Sequence, residues 1–141
     1  MIKKLLQLCF VLSFSIILCG CVAEGENFRP AKLTDNNAVI YVYRSDPSYC
    51  GSAVVLKIDV DGKRIGGLKP GGYLQQIVAP GEHKVSCKTE CESSVIVDVQ
   101  SNQSVYVASE VVMGFWVGRP KLTVVPEITG KGGISGTKNS L

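Results

Sequence analysis

Between residues 38 and 125 the chain repeats one unit: a short run of β-branched, aromatic and aliphatic residues, then a turn containing glycine, proline or both. This rhythm, with turns about every 8–12 residues, restricts the fold more than any other feature. Strands are expected over 38–44, 54–60, 64–68, 73–79, 83–87, 94–99, 104–113 and 122–125. In the second of these, Val54, Leu56, Ile58 and Val60 share one face while Lys57 and Asp59 point the other way. Asp61-Gly62 is a hairpin turn signal, because tight primed turns need positive φ. Lys69-Pro70-Gly71-Gly72 and Pro80-Gly81 supply further reversals.

No segment after residue 21 carries a 3.6-residue apolar period long enough for a helix of ordinary length. The pattern implies an all-β domain over 38–128, an antiparallel β-sandwich or partly open barrel of about 7–9 strands. At 141 residues, 45% of them hydrophobic, the chain is too apolar for disorder and suits one ordinary domain. It is far shorter than the roughly 250 residues of a TIM barrel.

The N-terminus reads as an address. Lys3 and Lys4 precede an apolar run over 5–18 that is shorter than the about 20 residues needed to span a bilayer. A basic start, a short apolar stretch and small residues beyond it describe a signal peptide, expected here over 1–20 as a helix that is cleaved off. The run ends in Leu18-Cys19-Gly20-Cys21, which resembles the bacterial lipobox. That resemblance implies cleavage between Gly20 and Cys21, with Cys21 lipidated at its thiol and acylated at its new amino group. Several acyl chains anchor a protein stably, each buried CH₂ contributing about 0.8 kcal/mol. Val22 stands where an inner-membrane retention signal would carry aspartate, so the resemblance favours the outer membrane in an organism that has one. Residues 21–37 are polar and aperiodic and read as a lipidated tether; residues 129–141, with four glycines, read as a flexible tail.

Removing the leader takes away Lys3 and Lys4 and lowers the formal charge from +3 to +1. Such a balance gives no general pull toward nucleic acid. Of six cysteines, Cys50, Cys87 and Cys91 then remain as thiols in an oxidising compartment. The short connection after Cys87 brings Cys91 within bridging range, while Cys50 could pair with either instead. A metal or redox site built from Cys50, Cys87, Cys91 and His83 is the functional alternative, although the C-x3-C spacing is a weak signal and packing beside Val85 suffices to explain His83.

The order Val60-Asp61-Gly62, Ile65-Gly66, Tyr73, then Ala79-Pro80-Gly81-Glu82-His83 resembles the PEGA-type β module. With the opening AVIYVYR and the closing GRPKLTVVPE, the chain is also similar to a family of small bacterial lipoproteins known as a numbered domain of unknown function. These motifs are turns, so the resemblance implies a backbone and carries over no catalytic residue. The cysteine set is not general to that family.

The chain has one histidine and contains no H-E-x-x-H, G-x-S-x-G or P-loop pattern. We therefore expect no cofactor, no bound metal and no catalytic constellation. The best interaction candidate is the loop with Phe115 and Trp116, with Arg119 beside it, where exposed aromatics could contact a partner. The expected role is a non-enzymatic envelope module that is held on the membrane by acyl chains and binds an envelope protein or cell-wall glycan. The alternative is a thiol-redox or metal-dependent envelope enzyme.

Overall fold

The structure, a computed structural model, describes residues 22–45, 53–89, 91–112, 114 and 118–141. Gly20, Cys21, Cys50, Phe115 and Trp116 lie outside the described residues. Within them the chain forms β1 (Ala38–Arg44), β2 (Leu56–Val60), β3 (Lys63–Leu68), β4 (Gly72–Val78), β5 (Gly81–Lys88), β6 (Glu92–Val99), β7 (Ser104–Val112) and β8 (Arg119–Val125). A helix α1 (Glu127–Ile134) and a two-residue strand β9 (Lys138–Asn139) follow.

The expected β-sandwich is present. One sheet has the order β8-β7-β1-β4-β9 and the other β3-β2-β5-β6. Most neighbours are antiparallel, but β1 pairs β7 and β4 pairs β9 in parallel. Asp61 and Gly62 adopt φ of 50° and 79° and close the β2–β3 hairpin, as an Asp-Gly turn should. The last long strand begins at Arg119, earlier than its apolar pattern suggested; Pro120 is accommodated because β8 is an edge strand.

Two apolar layers hold the molecule together. Between the sheets lie Ile40, Val42, Leu56, Ile58, Leu68, Leu74, Val85 and Val107, all essentially inaccessible. A second cluster of Val39, Tyr41, Tyr43, Tyr73, Tyr106 and Ile134 sits on the outer face of the five-stranded sheet. Every residue of β1 is therefore buried, alternate side chains entering alternate layers.

That second layer overturns two expectations from the sequence. Residues 22–37 are not a free tether: Phe28 packs edge-on against Tyr41 and Tyr73, each at a ring separation of 5.2 Å. The Ala31 amide donates to the Tyr41 hydroxyl at 2.7 Å, and the Ala23 amide donates to the Pro70 carbonyl at 3.1 Å. Nor are residues 129–141 a flexible tail, since α1 and β9 occupy them and Ile134 is fully buried. Gly25 and Asn139 join the two terminal segments through a 3.2 Å backbone hydrogen bond. The cause is the tyrosine-rich outer face, which needs an apolar cover that each terminal segment supplies in part. Glycine in α1 serves close approach: a Cβ at Gly130 would fall 2.2 Å from the Tyr106 ring.

Candidate functional site

Strand register fixes which loops share an end of the sandwich. Arg44 is level with Gly72, Leu56 with Leu68, Lys57 with Lys88, and Val112 with Arg119. The ends of β1, β3, β5 and β7 and the starts of β2, β4, β6 and β8 thus lie together. Ala23, bonded to Pro70 in the β3–β4 turn, brings the N-terminal segment to the same end.

A cleft of about 410 Å³ opens there, lined by Val54, Val55, Lys57, Arg64, Lys88 and Thr89. Alternation along β2 and β5 sends Leu56, Ile58, Val85 and Cys87 inward and leaves Lys57 and Lys88 on the outer face. The two lysines stand directly opposite each other. Arg64 is tied to Asp59: its Nε bonds one carboxylate oxygen and its Nη2 reaches the other at 3.4 Å. That hydrogen bond raises the Arg64 pKa further above its ordinary value. Glu92, across from Lys88, instead lies 3.7 Å from Lys84. Lys57 and Lys88 have no carboxylate partner among the described residues.

Behind the cleft, Arg44 continues the inward face of β1 and is 2% exposed. Its Nη1 donates to the Val54 carbonyl at 2.9 Å, fixing the approach to β2. Burial lowers the Arg44 pKa, although a guanidinium retains its charge in proteins. Cys87 shares this interior, and burial pushes its thiol up to about 11. It is protonated at neutral pH and weakly reactive as a nucleophile.

The cysteine bridge expected at the hairpin tip does not form. Cys87 and Cys91 are free thiols, the first buried and the second exposed. The register pairs Cys87 with Ser93 and Lys88 with Glu92, which leaves Cys91 in the connection beyond the last pair while Cys87 faces the core. The Cys87–His83 combination is equally disfavoured: four residues along one strand separate the two by about 13 Å. Among the described residues no cluster of three or more histidine, cysteine or acidic side chains could hold a metal ion. Cys50 lies outside those residues.

His83 sits at the opposite end. Its Nδ1 is 2.6 Å from Asp61 Oδ2 and its Nε2 is 2.8 Å from the Ala79 carbonyl. The Lys84 amide donates to the other Asp61 oxygen at 2.9 Å. Both histidine nitrogens thus meet acceptors, a structural clamp between two turns. Arg119, singled out in the sequence for its neighbours, is exposed at the start of β8 on the cleft's end of the molecule.

Lys57, Arg64, Lys88 and Arg44 are not singled out as site residues by the sequence. The β2–β5 register, which places Lys57 against Lys88, has no local signal, and Arg44 reads as an ordinary strand terminus.

Fold and cleft together define a two-sheet β-sandwich module with a basic end and an apolar outer cover. The chain belongs to the family described as Protein of unknown function (DUF2846), whose model matches residues 34–119. That span runs from just before β1 to the first residue of β8. An uncharacterized protein of Haemophilus influenzae is 27% identical over 143 residues, covering 95% of this chain and 84% of that protein. No solved structure matches the chain.

Proposed function

We propose that this protein is a lipid-anchored component of the bacterial cell envelope whose PEGA-like sandwich binds an envelope protein or cell-wall glycan without catalysing a reaction. The observation that carries the proposal is Leu18-Cys19-Gly20-Cys21 behind a basic start and a short apolar run. The docking of Ala23 supports it: two positions after Cys21 the chain is already buried and bonded to the Pro70 carbonyl, so an acylated Cys21 would sit close to the domain. For binding rather than chemistry speak the commitments of Cys87 and His83, two of the residues a thiol or metal site would use. Cys87 is sealed in the core, and His83 spends both ring nitrogens on structural hydrogen bonds. Acyl chains would hold the module at a membrane, the outer one where the cell has two.

The test is Cys21→Ser in cells fed labelled palmitate, followed by crosslinking and fractionation. The wild-type protein should carry label and be recovered in the membrane fraction crosslinked to an envelope protein or to glycan. The variant should lose the label and either remain unprocessed or leave that fraction. Label entering Cys21→Ser, or a wild-type protein with no envelope adduct, would overturn the reading.

A further inference from the structure

We infer that the Lys57–Lys88–Arg64 cleft is a binding site for the phosphate of an anionic lipid headgroup. Three observations converge on it. Like charges placed directly opposite on neighbouring strands destabilise a sheet, yet Lys57 and Lys88 face each other across β2 and β5. Among the described residues the carboxylates nearest them are engaged elsewhere, Asp59 by Arg64 and Glu92 by Lys84. An anion between the two ammonium groups removes the repulsion, and Arg64, already oriented by Asp59, closes a third side. Arginine and lysine together are the usual partners of phosphate.

The cleft also has an apolar wall. Val54 is half-buried and Val55 is 37% exposed beside the lysines. A headgroup with attached glycerol and chain fits such a lining better than a fully hydrated anion does.

Location selects the source. Ala23 is fixed to the β3–β4 turn at this end, and with Val22 alone between it and Cys21 the two Cα positions lie at most about 7 Å apart. On the anchored reading, from which the lipid source follows, this end of the sandwich lies against the bilayer. Lys69 in that turn and Arg119 at the start of β8 add basic groups to the same end. Anionic lipid surfaces attract such juxtamembrane lysines.

The full-length protein, reconstituted in vesicles and treated with a water-soluble amine-reactive ester, tests this. In phosphatidylglycerol vesicles Lys57 and Lys88 should be modified several-fold more slowly than in phosphatidylcholine vesicles. Lys63, which lies outside the cleft lining and beside Asp61 and Gln76, should react alike in both. Lys57→Gln should return the Lys88 rate in phosphatidylglycerol to its phosphatidylcholine value while leaving the melting temperature unchanged or higher. Equal rates for Lys57 and Lys88 in the two lipids would overturn the site. Protection by inorganic phosphate in detergent, with none from phosphatidylglycerol, would overturn the lipid assignment. The comparison uses one chain in two lipids, so its outcome is separate from that at Cys21: a wild-type protein that takes up no palmitate yet shows the lysine protection would remove the anchor and leave the site.

Discussion

His83 joins the turn after β4 to the hairpin after β2, and the chemistry of its partners fixes its charge. A carboxylate and a carbonyl can only accept, so both ring nitrogens must donate and the imidazolium is the bound form. The hydrogen bond to Asp61 raises the His83 pKa above 6.5, and the same bond holds Asp61 below its ordinary 3.8. For histidine the stabilisation is complete below 6.5 and disappears as pH rises through the raised native value. For aspartate it is present above 3.8 and lost as pH falls through the lowered one. The clamp is therefore strongest between these limits, and its worth is about 0.5–1 kcal/mol because Asp61 is half exposed. Wild type should lose melting temperature between pH 6 and pH 9 relative to His83→Gln; parallel curves for the two would refute the clamp. The period of two puts His83 in strand beside Val85, as β5 has it. What it could not supply was Asp61, 22 residues away across the ladder. Nor could the spacing of Cys87 and Cys91 show that the hairpin register sends one thiol inward and leaves the other at the tip.

At the scale of elements, α1 shows why the C-terminal segment was misread. Glycine marks both flexible chain and close packing, and only the partner distinguishes them. A Cβ on Gly133 would sit 2.5 Å from the Tyr43 ring, whereas one on Gly132 would meet nothing within 4 Å. Gly132→Ala should therefore stabilise the protein by about 0.5–1 kcal/mol, the helix-propensity gain alone. Gly133→Ala gains the same propensity but must push the helix off β1, for a net loss of about 1–3 kcal/mol. Urea melts of the two variants check this; stabilisation by both would mean that α1 is not seated on the tyrosines. The clue to a covering layer was legible in β1. AVIYVYR is apolar on both faces apart from its terminal arginine, and a strand with two apolar faces needs two neighbours to bury them. Strand existence and the Asp-Gly turn follow from local chemistry. The identity of the second cover does not, because Phe28, Ala31 and Leu33 are scattered through an otherwise polar segment.

At the scale of the whole molecule the two sheets differ in how their strands are spaced along the chain. The four-stranded sheet is drawn from residues 56–99, and its β2–β3 and β5–β6 pairs are hairpins. The five-stranded sheet collects strands from both ends of the domain. Its central strand β1 lies between β4 and β7, and Val39 pairs in parallel with Ser104, some 65 residues on. Closing so long a loop costs about 2–3 kcal/mol more entropy than closing a hairpin. Synthesis delivers a chain N-terminus first, so β1 is the earliest strand made and among the last to be paired on both edges. In pulse-labelled hydrogen exchange during refolding, β5 and β6 amides should gain protection before those of β1. Simultaneous protection would show that the parallel pairing imposes no delay. Until β7 arrives, six consecutive apolar residues with high strand propensity have one bare edge, the composition that promotes aggregation. The central position that makes β1 inaccessible in the finished protein thus leaves it the segment of the nascent chain most exposed to mispairing.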